Sequence, residues 1–126
     1  QRKAFELMLQ LAEKGNEKAQ MQIGLMYIFA NGTVTNHQEG YFWLKESALQ
    51  GFEPAQRNLG SLYIQGIGKD PDPALSYAWL TIASASAEEE PEENKQIKKT
   101  LNSQELELAA TLAVELRALI QDRSDK

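Results

Sequence analysis

Cysteine is missing from all 126 residues. Its absence removes disulfides, thiolate catalysis and Cys-ligated zinc in one step. It leaves the compartment open, because an exported protein can also lack cysteine. Histidine is nearly missing too. His37 stands alone beside Asn36, with no paired acid nearby and no Ser or Asp at motif spacing. It can build neither an ordinary zinc site nor a catalytic triad, and it reads as a surface loop residue. No apolar run approaches the roughly 18 residues that span a bilayer, and no signal-peptide pattern is visible. Basic charge is also in deficit: 13 Lys and Arg face 18 Asp and Glu, for a formal net charge of −5. The one tight basic cluster, Lys95, Lys98 and Lys99, follows directly on the acids Glu88, Glu89, Glu90, Glu92 and Glu93. That balance gives phosphate backbones little to bind and argues against a nucleic-acid partner.

What is present is a repeat. Residues 12–51 laid without gaps on residues 48–87 agree at Ala12/Ala48, Gly15/Gly51, Glu17/Glu53, Ala19/Ala55, Gln20/Gln56, Gly24/Gly60, Tyr27/Tyr63, Ile28/Ile64, Gly32/Gly68, Tyr41/Tyr77, Trp43/Trp79 and Leu44/Leu80. These are mostly small or aromatic residues, the kinds that packing demands. Ala19, Ile23, Met26 and Tyr27 recur with helical period, as do Ala55, Leu59, Leu62 and Tyr63. Gly24 and Gly60 fall inside these helices, where glycine costs about 1 kcal/mol against alanine. Their shared phase predicts close approach by a second helix. That helix starts after Asn31-Gly32 in one unit and after Gly66-Ile67-Gly68 in the other, with Asp70-Pro71 as a capping acid and a first-turn proline. Trp43 and Trp79 are expected at equivalent, largely buried places.

The pattern Ala-x₄-Gly-x₂-Tyr, then Gly, then Trp-x₃-Ser/Ala-Ala/Ser resembles the Sel-one-like repeat of the tetratricopeptide superfamily. The resemblance covers residues 4–87. It includes a fragmentary first unit, in which Ala4, Leu7, Leu11, Ala12 and Gly15 align with Gly40, Trp43, Ser47, Ala48 and Gly51. Ala30 departs from the family pattern, as do Gly40 and Ser76, which stand where alanine is usual. The resemblance implies an all-α fold, an α/α solenoid wound as a right-handed superhelix of antiparallel helix pairs. It also implies a protein-binding scaffold and leans towards the bacterial periplasm or cell envelope, with the cytoplasm as the alternative. Residue 1 is Gln and apolar periodicity is under way by Ala4, so the start is expected to be a cut inside a longer protein.

The expected division is a partial repeat at 1–15, repeats at 16–51 and 52–87, and C-terminal capping helices at 88–126. Seven helices are expected near 3–14, 17–30, 37–50, 53–65, 72–86, 91–101 and 104–121. Pro91 suits a first turn among acids, and Ser103 is expected to cap the last helix. That helix is expected to carry Leu106, Ala109, Ala110, Ala113, Leu116 and Ile120 on one face, widened by Leu108, Leu112 and Leu119. The stretch at 100–106 resembles the closing segment that follows the last repeat in bacterial members of the family. A terminal element of this kind covers the open end of a solenoid.

Chemistry-bearing motifs are weak. The acidic run at 88–93 lacks the alternating spacing of a calcium loop, and Gly66-Ile67-Gly68-Lys69 fails the phosphate-loop pattern. Trp43, Trp79, Tyr27 and Tyr63 could form a ligand cage, but their phase with the repeat makes them core residues. No set of groups converges on a cofactor, a metal or a reaction, so the chain is not expected to be an enzyme. What remains is a second stripe. Met21, Leu25, Ile28 and Phe29 lie off the internal packing side of their helix, and Arg57, Ser61 and Gln65 hold matching places in the next unit. The resemblance places these positions on the concave groove, with a peptide or helix of another protein as the occupant. The alternative is packing on an upstream helix. Self-association through an exposed N-terminal end is a further expectation, as is a purely structural role as a spacer.

Overall fold

The repeat residues build the same local structure twice. A computed structural model describes residues 2–29 and 36–125. Among them the chain forms seven helices and no strand: α1 (Arg2–Glu13), α2 (Glu17–Phe29), α3 (His37–Leu49), α4 (Glu53–Gln65), α5 (Pro73–Ala83), α6 (Glu92–Lys99) and α7 (Ser103–Ser124). Asn31-Gly32 and Ala30 lie outside the described residues. Helices α2 and α3 pair as one unit and α4 and α5 as the next, with α1 packed on α2 and α3 packed on α4. The chain is an all-α solenoid, closed at its far end by α6 and α7 on α5.

The second helix of each pair starts the same way. Asn36 accepts a hydrogen bond from the Glu39 amide at 3.0 Å, and Asp72 accepts one from the Leu75 amide at 3.1 Å. Their own amides donate back to the first helix, Asn36 to Tyr27 O at 2.8 Å and Asp72 to Tyr63 O at 2.9 Å. Each cap therefore satisfies helix-start amides and ties its helix to the partner. The start of α5 thus sits two residues later than Asp70-Pro71 predicts, because the repeat-equivalent of Asn36 is Asp72. Pro71 instead packs against Gly66. The cap of α7 is likewise Asn102 and not Ser103: Asn102 and Glu105 exchange side-chain and backbone bonds as a capping box.

Close approach at the mid-helix glycines is real. A Cβ on Gly24 would lie 2.8 Å from both Gly40 O and Leu44 Cγ, and one on Gly60 would lie 2.6 Å from Leu80 Cγ. The glycines let α2 touch α3, and α4 touch α5, nearly backbone to backbone. Ser76 closes the second contact by donating to Gly60 O at 2.6 Å.

Two apolar clusters result. The smaller joins Ala12, Ala19 and Ile23 to Phe5, Met8, Leu9, Met26, Tyr27 and Trp43. The larger holds Leu44, Ala48, Ala55, Leu59, Ala78 and Trp79, and it recruits Ala113 and Leu116 from α7. The tryptophans sit at equivalent places but are not equally covered. Trp79 is 1% exposed, whereas Trp43 is only half-buried, with its indole N–H lacking a partner. Both tryptophans are thus mostly covered, as expected, but Trp79 more completely than Trp43. The cluster around Trp79 includes side chains of α7, and the cluster around Trp43 has no such lid. On α7 itself, Leu108, Val114 and Leu119 remain exposed, so its covering face is narrower than the sequence implies.

Candidate protein-binding surface

The candidate binding residues separate into three groups. Ile28 leaves the set: it is 3% exposed and packs in the larger cluster. The cause is Gly40, where a Cβ would come within 2.4 Å of Ile28 Cγ1. The missing side chain at 40 makes a slot that Ile28 fills. Met21 and Leu25 are half-buried against the same cluster. Asn58 of α4 donates to Met21 Sδ at 3.4 Å, which turns this side of α2 towards the following unit. Met21 and Leu25 thus pack on the following unit, where the alternative reading has an upstream helix. Phe29 alone of this stripe is open, at 58% exposure.

On α4 the matching positions are polar and mutually engaged. Arg57 pairs with Glu53 at 3.2 Å, one helical turn away, and Gln65 donates to Ser61 Oγ at 3.0 Å. The two helices together thus present an open aromatic ring at one end and a hydrogen-bonding surface at the other. Neither contact locks its partners, since exposed i,i+4 pairs contribute only a few tenths of a kcal/mol.

A set of glutamines was missed. Gln20 is buried and donates to Ala12 O at 3.1 Å, and Gln56 repeats the bond to Ala48 O at 3.1 Å. Each spans a chain reversal and satisfies a carbonyl at the end of the preceding helix. The reversals pass through Gly15 and Gly51, both at φ 94°, a left-handed backbone that favours glycine. Gln50 then donates from one nitrogen to Gly15 O at 3.0 Å and to Gln20 Oε1 at 2.7 Å. The signal was legible: a long polar residue identical at repeat phase, directly after a buried alanine.

Tyr41 and Tyr63 gather at the loop between α4 and α5. Tyr41 donates to Ile67 O at 2.7 Å, and Lys69 sits 4.1 Å above its ring. His37 packs its ring where a side chain at Gly68 would stand, so it is partly covered rather than a free loop residue. Burial pushes the Tyr63 hydroxyl up to about 12, helped by Tyr41 and Asp72. Burial, with the hydrogen bond from Tyr77 to Glu90, does the same at Tyr77, also to about 12. Both stay neutral at ordinary pH. Among the described residues no three His, Asp or Glu side chains gather as metal ligands. No helix among them is long and apolar enough to cross a membrane.

Comparison with known proteins agrees with this architecture. A family model, the Sel1 repeat, matches residues 1–16, 17–52 and 53–87. Among solved structures the chain is similar to a protective antigen of uropathogenic Escherichia coli strains that displays an SLR fold. The two share 28% identity at a TM-score of 0.81, over 90% of this chain and 25% of that one. The chain thus spans about a quarter of the length of that relative. No curated protein matches the chain.

Proposed function

Since this chain belongs to the Sel1 repeat family, whose repeats are protein-interaction modules and typically non-catalytic scaffolds, we propose that the surface formed by α2 and α4 docks a peptide or helix of another protein. The observation that carries this reading is the open ring of Phe29, 58% exposed at the end of α2. An aromatic left uncovered one turn from half-buried Leu25, with polar Arg57, Ser61 and Gln65 at the matching positions of α4, offers an anchor and a polar edge. Stacked helix pairs commonly present such surfaces to ligands. An amphipathic partner would place one apolar residue against Phe29 and polar groups against Ser61 and Gln65. The test replaces Phe29 with a photo-crosslinking benzophenone amino acid in cells of the source organism. One discrete adduct, identified by mass spectrometry and absent when the same group replaces exposed Lys95, is the expected result. If position 29 yields no adduct above the Lys95 control, the α2–α4 surface is not the docking site.

A second reading rests on α1. Leu7 and Leu11 are 55% and 46% exposed. Their repeat-equivalents Trp43 and Ser47 pack on or bond to α2. The α1 face is therefore shaped to receive a helix, and a second copy of this chain could supply one. Light scattering should then show a dimer that the pair L7Q and L11Q converts to monomer. A monomeric parent ends that reading.

A further inference from the structure

The two units differ at one polar joint, and the difference leaves a socket. In the first unit the Gln50 carboxamide fills the space between Gly15 O and Gln20 Oε1, donating to both. The equivalent acceptors in the second unit are Gly51 O and Gln56 Oε1. Ser86 stands where the repeat has Gln50, and Ala83 where it has Ser47. Helix α5 also ends at Ala83, two residues earlier in phase than α3, which ends at Leu49. A cleft of about 460 Å³ opens there, bordered by Gly51, Gln56 and Ser86, with Ile82 and Ile120 as apolar walls and Arg117 at its side. Gln56 is 4% exposed and its nitrogen is used on Ala48 O, but no described group donates to its Oε1 or to Gly51 O. Gln121 borders the cleft, yet its own amide is turned to Asp125 at 3.2 Å.

Two acceptors without donors, in a cleft that the other unit fills with a carboxamide, define the occupant. We propose that this cleft receives a glutamine side chain of a partner protein, whose amide nitrogen donates to Gly51 O and Gln56 Oε1 while its methylenes lie between Ile82 and Ile120. A carboxylate has no proton to give these acceptors, and an apolar side chain leaves both unpaired, which costs binding energy. The inference rests on the protein-binding reading, but it concerns a different surface from Phe29, so the two fail separately.

The probe is N-acetylglutamine methylamide, titrated into the isotope-labelled protein and followed by NMR at the Phe52 backbone amide and the Gln56 side-chain amide. Saturable shifts are expected for this probe, with much smaller ones for the glutamate and norvaline analogues. The variant S86Q restores the residue of the first unit. It should fold, melt higher than the parent and lose the shifts. Larger shifts with the glutamate analogue would assign the cleft to an anion held by Arg117 and overturn the proposal. So would S86Q binding the probe as the parent does. If position 29 gives no crosslink but the glutamine shifts persist, only the α2–α4 surface is lost.

Discussion

The first unit, α2 with α3, and the second, α4 with α5, share a backbone plan and differ in what covers them. In both, a glycine permits close helix contact, an Asn or Asp caps the second helix, and a buried glutamine bridges the preceding turn. The first unit seals its chain reversals with polar side chains: Asn16 accepts from the Ala19 amide at 2.8 Å, and Gln50 fills its joint. The second puts Phe52 at the position of Asn16, without a side-chain cap, and buries its interior under α7 instead. One unit is closed by hydrogen bonds at its edge, the other by apolar cover across its face. Apolar burial carries more stability per residue than a net hydrogen bond, so the second unit should be the firmer half.

The tryptophans test this most strongly. Trp79→Ala should cost about 3–5 kcal/mol, as for large core aromatics. Trp43→Ala should cost about 1–3 kcal/mol because its site is already part-open. Chemical denaturation of both variants gives the comparison, and equal losses would break it. The glycines come next, with the order reversed. Gly24→Ala drives its methyl into the Gly40 carbonyl, whereas Gly60→Ala meets chiefly the Leu80 side chain. Overpacking of this kind costs about 1–3 kcal/mol, with Gly24→Ala at the upper end. A Gly60 variant the weaker of the two would mean that Leu80 has no room to turn.

The tyrosines sharpen the contrast. Tyr27 and Tyr41 of the first unit are raised above 10.0, while Tyr63 and Tyr77 of the second reach about 12. The folded state holds these protons longer than the unfolded chain does. Their contribution to stability is therefore complete below pH 10 and drains away as pH rises towards 12. Ultraviolet titration should show the last tyrosinate absorbance vanish in Tyr63→Phe and Tyr77→Phe. A last phase assigned to Tyr27 or Tyr41 would reverse the assignment. The smallest effect belongs to the exposed bidentate pair between Arg123 and Glu46, at 3.0 and 3.1 Å, which joins the end of α7 to α3. Glu46→Gln should cost about 0.2–1 kcal/mol and less at high salt. A larger, salt-insensitive loss would show that α7 also secures the first unit.

The repeat itself was legible because packing repeats the same small and aromatic residues, and the helix pattern followed from it. The candidate surface was less so. A stripe at i, i+4 and i+8 says that Met21, Leu25 and Phe29 share a side of a helix, but it does not say which neighbour they meet. Asn58 and the larger cluster decide that. The burial of Ile28 depends on the atom that Gly40 lacks, and a glycine in a sequence does not announce what enters the space it leaves. The difference between Trp43 and Trp79 lies in their surroundings: Trp79 sits in the cluster that α7 joins, Trp43 in the smaller one with α1 and α2. The cleft at Ser86 shows in the sequence only as a mismatch between the repeats, Ser86 against Gln50.

The paired bonds Gln20 to Ala12 O and Gln56 to Ala48 O have a consequence for shape. Each fixes how one helix leaves the end of the one before it, so together they act as a protractor set twice to the same angle. In a stacked array the pitch accumulates from that single step. Replacing either glutamine with leucine would add a small error at one joint, and every unit beyond it would inherit the displacement in proportion to its distance. The reach and curvature of a long array would then be set less by its apolar core than by a few amide groups at its bends.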